Sequence, residues 1–444
     1  MKDKITNWSK YPIVEADIFN YKFENQLKPI LIKSEGVIVR GNGRCYGDAS
    51  LNNNIISSLS FNRIIDLDEK EGIINCQAGV TLDKLLEVLV PKGWFLPVTP
   101  GTKFISIGGA VASDVHGKNH HKEGSFSQYI IDMRVMTHAG EILHCGPSNN
   151  QDLFQCTIGG MGLTGIILDV KFKLKRIESS FIKFRNIKAK NLGEAIKLFE
   201  ENKHYTYSVA WIDCFQKGEN LGRSILMLGE HASINDLPAS LRKKPLKLPS
   251  DRKIKFPFNL PGFVLNSFSI KSFNFLYYRK QQKKIVDGFV NYDKFFYPLD
   301  SILDWNNMYG KRGFVQYQFV LPLETSAEGL QQILEEIRTM GMGSFLAVLK
   351  LFGVQNDLIS FPMEGYTLAL DFPIRKGLFE FLEKLDKLVI KYGGRIYLTK
   401  DARMRENTFW KTYPNAVKFV QGIKKYNPNF KFESLLSKRL ALTK

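Results

Sequence analysis

Gly36-Val-Ile-Val-Arg40 runs straight into Gly41-Asn-Gly-Arg-Cys-Tyr-Gly47 and Asp48, a β-branched strand delivered into a glycine loop. Glycines after a strand let backbone N–H groups approach an anion with no Cβ in the way, and they equally permit a tight turn. The spacing is Gly-x-Gly-x-x-x-Gly, which matches neither the P-loop nor the dinucleotide fingerprint. A literal Gly-x-Gly-x-x-Gly occurs at Gly160-Met-Gly-Leu-Thr-Gly165. It follows a predicted helix (Asp152 to Cys156) and precedes a predicted strand (Ile166 to Leu174), the reverse of the order a Rossmann unit needs, so an NAD site is rejected there. Those glycines fit a close backbone approach to a ligand or a tight turn. A third segment joins Pro100-Gly-Thr102 to Ser106-Ile-Gly-Gly-Ala-Val-Ala-Ser-Asp-Val-His-Gly117. So little side-chain bulk lets a flat or extended ligand lie on the backbone, or lets a helix pack tightly on a sheet.

Outward from these segments, residues 36–175 read as short strands punctuated by glycine. Ile73 to Ala78 and Ile130 to Thr137 are strands, and Thr81 is expected to cap a helix carrying Leu82, Leu85, Leu86 and Leu89 on one face. Near Arg176 the pattern shifts to longer alternating elements. Helices are expected over Ala195 to Asn202, Ala327 to Met340 and Leu378 to Tyr392. Strands are expected over Ser208 to Asp213, Gly313 to Leu321, Phe345 to Phe352 and Tyr366 to Phe372. An antiparallel sheet backed by helices suits this order.

Hydrophobic residues are 44% of the 444 and charged residues 24%, which excludes wholesale disorder and leaves room for two or three domains. The five cysteines (Cys45, Cys76, Cys145, Cys156, Cys214) are odd in number and form no Cys-x-x-Cys, so neither a disulfide framework nor a zinc ribbon is indicated and a reducing compartment fits. Met1 to Glu15 lacks the apolar core of a signal peptide, and no apolar run is long enough to span a bilayer. The net charge of +18 admits nucleic acid, an anionic membrane or a phosphorylated substrate as partner. His116, His120 and His121 lie close in sequence, but no acid or cysteine is suitably spaced for a metal site, so none is expected.

Further segments are distinctive: Gly43-Arg-Cys-Tyr-Gly-Asp48, His116-Gly-Lys-Asn-His-His121, Gly124-Ser-Phe126, Trp211-Ile-Asp213, Gln316-Tyr-Gln-Phe319, Lys350-Leu-Phe-Gly353, Asp371-Phe-Pro-Ile374 and Thr399-Lys-Asp-Ala-Arg403. The glycine segments, in this order, resemble the FAD-binding domain of the vanillyl-alcohol oxidase superfamily. The other segments, which span nearly the whole chain, resemble its decaprenylphosphoryl-β-D-ribose 2′-oxidase branch. The resemblance implies an α+β, two-domain fold: an FAD-binding domain over 1–178, a substrate domain with an antiparallel sheet over 179–394, and a segment 395–444 that completes the first domain.

It also implies roles. Cofactor contacts would come from Arg40, Gly41, Asn42, Gly43, Arg44, Cys45 and Tyr46 in the first loop, from Gly101, Ser106, Ile107, Gly108, Gly109, Ser113 and His116 in the small-residue run, and from Ile167 and Tyr397. Arg44 stands where many relatives carry the histidine that links FAD covalently, so non-covalent FAD is expected. Catalytic residues would be His116, Lys400, Tyr46, Gln318 and Lys350, with His116 the first choice of base. The substrate pocket would add Trp211, Phe296, Gln316 and Ala369, and of Gln316 and Gln318 only Gln318 is expected to face it. Ala369 replaces a pocket cysteine of the family, which predicts resistance to inhibitors that trap that thiol, and Phe296 replaces a tyrosine.

The implied reaction oxidises the 2′-hydroxyl of a polyprenyl-phosphate-linked ribose to the 2-keto sugar. An NAD(P)H-dependent short-chain reductase would then complete a 2′-epimerisation to the arabinose for cell-envelope glycan. The competing enzyme is an oxidase of a soluble sugar, alditol or aldonolactone. A flavoprotein scaffold without catalysis is disfavoured by the intact Tyr46, His116 and Lys400. Nucleic acid is disfavoured because no recognition motif accompanies the charge. The charge is local: residues 242–284 hold twelve basic side chains against one acid, Asp251, interleaved with aromatic residues. The insertion 236–285 is therefore read as a long, partly mobile element, broken by prolines, through which the protein touches an anionic membrane. The expected location is the cytoplasm, peripheral at the inner face of the membrane, or the periplasmic face if the chain is exported without a recognisable signal.

Overall fold

The computed structural model describes residues 2–250, 253–355 and 357–444, so Asp251 and Arg252 of the basic insertion lie outside the described residues. The first half of the chain builds two sheets. Asp3–Thr6, Ile13–Asn20, Asn54–Ser57 and Ile38–Arg40 form a four-stranded sheet, parallel except at its first pair. Ile64–Asp68, Ile73–Gln77, Ile166–Lys173, Ile130–Met136 and Ile142–Cys145 form a five-stranded antiparallel sheet in that spatial order. The helix Leu82–Leu89 buries Leu82, Leu85, Leu86 and Leu89, as the spacing predicts. Thr81 sits at its N-cap without a side-chain bond. The expected cap is replaced by backbone: the Leu82 and Asp83 N–H groups donate to the carbonyls of Ile105 and Lys103, both at 3.0 Å. Those bonds bind the helix start to the small-residue run.

The second half is an eight-stranded antiparallel sheet. Its order is Ile285–Asn291, Phe181–Ala189, Ser224–His231, Tyr207–Ile212, Val348–Phe352, Gly365–Pro373, Phe314–Pro322 and Arg395–Ile396. The helices Leu192–Glu201, Leu323–Thr339 and Leu378–Lys391 turn their apolar stripes to it: Leu330, Ile333 and Ile337 of one, Phe381, Leu385 and Val389 of another, all enter the same core. The last two-residue strand, Arg395–Ile396, still belongs to this sheet, so the chain leaves it just after the boundary expected at 395.

The C-terminal segment then returns to the first half. Phe432 bridges to Val37, and Asn427 donates to the Leu163 carbonyl. Arg439 grips both Asp48 (Nη2–Oδ1 2.8 Å) and Asp401 (Nη1–Oδ2 2.8 Å). Arg403 makes a buried fork with Asp386, which also accepts from the Tyr317 hydroxyl. These ion pairs fix residues 397–403 between the two halves.

Within the insertion, the prolines end at Pro261, and a 14-residue helix, Ser267–Lys280, follows with a capping box at Asn266. Its Asn274 is buried against Asp213, and Ile254–Lys255 pair with Ile302–Leu303. Among the described residues no helix is long and apolar enough to cross a membrane.

Candidate active site

Three adjacent strands form the floor of a cavity of about 340 Å3. Their register sets side chains in rows: Asp371 beside Gln316, Ala369 between Val348 and Gln318, and Thr367 between Lys350 and Val320. Gln316, Gln318, Val348, Lys350, Ala369 and Asp371 all line the cavity. The expectation that only one glutamine faces it is therefore corrected. Residues two apart on a strand share a face, so Gln316 and Gln318 point the same way.

The remaining walls are the glycine segments. Gly41 to Tyr46, Gly101, Ser106, Gly108, Gly109, Ser113, His116, Ile167, Tyr397 and Lys400 all line the same cavity. The segments interlock: a Cβ on Gly41 would stand 2.1 Å from Ser106 Oγ, and one on Gly108 would stand 2.9 Å from Ala78 Cβ. A Cβ on Gly101 would meet nothing within 4 Å. The result is a long wall almost without projecting side chains, floored by polar groups. His116 adds a buried Nδ1 with no hydrogen-bond partner among the described residues. An extended dinucleotide with a flat ring system suits this cradle, so the residues present fit FAD.

Four expected contacts do not line the cavity. Arg40 turns away to Asn7 Oδ1 (3.2 Å) and the Thr6 carbonyl (3.0 Å), bracing the loop from behind. Ile107 points into the core of the five-stranded sheet with Ala110 and Val111, while Gly108, Gly109 and Ala112 of the same short helix face the cavity. Trp211 ends the Ala369 row one strand beyond Val348, and its indole bonds the Phe345 carbonyl and packs on Tyr277 of the insertion helix. Phe296 is buried among Phe95, Tyr207 and His231.

The three histidines diverge. His120 Nε2 meets Gln355 Oε1, His121 Nε2 meets the Tyr205 carbonyl, and His116 Nε2 lies 3.3 Å from Gln318 Nε2. Gln318 donates there, so the His116 ring proton sits on Nδ1. Burial first, then the charge of Lys350, holds His116 well below the ordinary histidine range. Its ring is boxed by Phe352 (4.7 Å), Tyr397 (5.2 Å) and Phe361 (5.7 Å).

Burial also brings Lys400 down to about 7 and Lys350 to about 8. The Lys400 amine sits 3.7 Å over the Tyr46 ring. Sequence reasoning missed Asp371 as a site residue, although it lies two positions from Ala369 on one strand and alternation alone puts both on one face. Its carboxyl accepts from Gln316 Nε2 at 2.6 Å and from the Tyr309 hydroxyl at 3.3 Å, and burial raises it to about 7. Trp8, Asp300 and Trp305 line the cavity too, brought in by elements remote in sequence, and only the fold reveals them. The Arg44 guanidinium lies 4.0 Å over Trp8 and 5.4 Å over Phe104.

A family model described as an FAD binding domain matches residues 31–146, which spans the glycine segments at 36–48 and 100–117. A decaprenylphosphoryl-β-D-ribose oxidase from Mycolicibacterium smegmatis is 38% identical over 416 residues, 92% of this chain and 89% of the relative. An L-gulonolactone oxidase from Scyliorhinus torazame is 29% identical over 139 residues, 31% of each chain. Among solved structures, a BBE-like 1 protein from Physcomitrella patens superposes with a TM-score of 0.67 at 14% identity, covering 94% of this chain and 89% of its own, and shares the fold.

Proposed function

Since the chain belongs to the decaprenylphosphoryl-β-D-ribose oxidase family of FAD-binding oxidoreductases, we propose that it oxidises the 2′-hydroxyl of a polyprenyl-phosphate-linked ribose to the 2-keto sugar. One observation carries the reading: Tyr46, His116, Gln318, Lys350 and Lys400, drawn from segments across the whole chain, share one cavity. FAD, when bound, supplies the acceptor for the hydride of the carbinol carbon. The glycine segments and Tyr397 hold it, and Arg44 offers no nucleophile for a covalent link, so it is held non-covalently.

The chain's own groups position the sugar and manage its proton. The Gln316 and Gln318 amides present donors and acceptors to sugar hydroxyls. Lys350 attracts the developing negative charge on oxygen. Lys400, rather than His116, takes the hydroxyl proton. The imidazolium of His116 is opposed by burial and by two lysines, and its Nε2 already faces the Gln318 amide. An amine brought to about 7 is matched to proton transfer near neutrality, and the Tyr46 ring beneath it favours the ammonium it becomes.

The keto product calls for an NAD(P)H-dependent reductase to deliver hydride to the opposite face. The lipid-linked substrate calls for access to a membrane. In the insertion Ile254, Phe258, Phe263, Phe268 and Leu276 are exposed beside Lys253, Lys255, Lys271, Arg279 and Lys280. That mixture suits an anionic bilayer surface, here the inner face of the cytoplasmic membrane. The test is turnover by the FAD-loaded protein. Oxidation of polyprenylphosphoryl-ribose is expected, and oxidation of free pentoses, alditols or aldonolactones without it would replace this reading.

A further inference from the structure

Asp371 occupies the end of the polar grid. Its row partner Gln316 binds its carboxyl, and Tyr309 donates to the second oxygen. Gln316, Tyr46 and Lys400 line the same cavity, and Tyr46 is the ring on which Lys400 rests. Carboxylate, amide, phenol and amine thus face one cavity. Of the three acids that line the cavity among the described residues, Asp300 receives the Lys103 N–H, and Asp304 faces Lys255 at 3.9 Å. Asp371 is the one whose field acts on Lys400.

We infer that Asp371 is the positioning carboxylate of this site: held by Gln316 and Tyr309 in the cavity that carries Tyr46, it sets the charge of Lys400 and so decides when that amine can take the substrate's proton. The claim rests on the oxidase reading for its purpose, though not for its physics. Lys400 is pulled both ways. Desolvation and Lys350 oppose its proton, while Asp371 and Cys45 favour it, and its own charge bears on His116. Asp371 in turn faces Gln316, Lys400, Tyr309 and Tyr46, and Tyr46 also feels Asp300 and Arg44. Removing the carboxylate takes away the largest of the favouring charges. The amine then loses its proton at lower pH and becomes a weaker acceptor.

The test measures Lys400 directly. FAD-loaded protein is labelled with acetic anhydride across a pH series, and acetylation of the Lys400 peptide is read by mass spectrometry. Asp371→Asn is expected to lower the labelling midpoint by about one pH unit, as loss of a nearby opposite charge does. The acid limb of kcat/KM should move in the same sense, with kcat down about tenfold. Asp371→Glu, which keeps the charge, should return the midpoint toward wild type. An unchanged midpoint in Asp371→Asn, even with kcat reduced, would overturn the inference and leave Asp371 a packing residue, as would a Glu variant that behaves like Asn. If Asp371→Asn does not fold, Tyr309→Phe removes one donor to the carboxylate, and a smaller downward shift is expected, with no shift counting against the inference. Labelling needs no substrate, so a wild-type protein inert toward polyprenylphosphoryl-ribose would sink the oxidase reading and leave this result standing by itself.

Discussion

The Asp401 carbonyl oxygen lies 1.6 Å from where a Cβ on Gly47 would stand. The first glycine loop and the segment carrying Lys400 therefore touch backbone to backbone. The Tyr46 N–H donates to the Thr399 carbonyl at 3.0 Å beside this contact, and Arg439 clamps Asp48 and Asp401 from outside. Residues more than 350 positions apart are thereby held in one rigid joint that places Lys400 over Tyr46.

Gly47→Ala should force that joint open. A clash with backbone cannot be relieved by a rotamer change, so a loss of about 2 kcal/mol is expected. Thermal unfolding should show a lower midpoint, and kcat should fall at least tenfold as Lys400 moves. Gly101→Ala is the contrast: a Cβ there meets nothing within 4 Å. Its FAD-free unfolding temperature should stay near wild type, while FAD binding weakens because the methyl enters the cradle.

Lys350→Met should shift the acid limb of kcat/KM upward, opposite to the effect of removing Asp371, because Lys350 opposes the proton on Lys400. It should also change stability with a definite sign. Burial lowers Lys350 to about 8, so between that pH and the ordinary lysine range the unfolded chain binds a proton the folded chain does not. Stability from this group therefore rises with pH across that window. Lys350→Met removes the slope, and its unfolding temperature should exceed wild type most clearly at or below pH 8. A variant that loses activity without gaining stability there would show that Lys350 is not held at a cost.

Much of this was legible before folding. The strands Ile166–Lys173 and Gly365–Pro373 and the helix Leu378–Lys391 follow from β-branched runs and from an i, i+3, i+4 apolar stripe. The joining of Gly47 to Asp401 was not, because nothing local in either segment encodes the other. Thr81 failed as a cap because a tertiary partner, the 103–105 backbone, supplied the acceptors first. Trp211 and Phe296 were misplaced because a motif gives a residue's neighbours in sequence and not the strand order or the core it faces. Trp211 is one strand too far from the grid centre, and Phe296 faces the other core.

Ala369 sits in the middle row, between Val348 and Gln318, and lines the cavity. Wild-type protein should be untouched by electrophiles generated in the cavity that require a thiol at this place. Ala369→Cys should acquire a single adduct there, read by intact mass, with turnover lost in proportion to labelling. The added sulfur is small and meets a cavity rather than a packed core, so folding should be preserved.

The insertion gives the last prediction. Phe263 is 76% exposed and Phe268 is 79% exposed, with Lys271 one helical turn from Phe268. Large apolar side chains left this bare in water gain about 1.5–3 kcal/mol each on entering a bilayer interface. Each nearby lysine or arginine adds about 1 kcal/mol at an anionic surface. The double variant Phe263→Ser/Phe268→Ser should therefore lose at least tenfold in co-sedimentation with vesicles containing phosphatidylglycerol. Wild-type binding should weaken with salt, because the basic contribution is screened while the apolar one is not. Turnover of a short-chain, water-soluble polyprenylphosphoryl-ribose should be unaffected, since neither residue lines the cavity. Undiminished vesicle binding by the double variant would remove this face from any membrane role, and lost turnover of the short substrate would move it from docking to the reaction site.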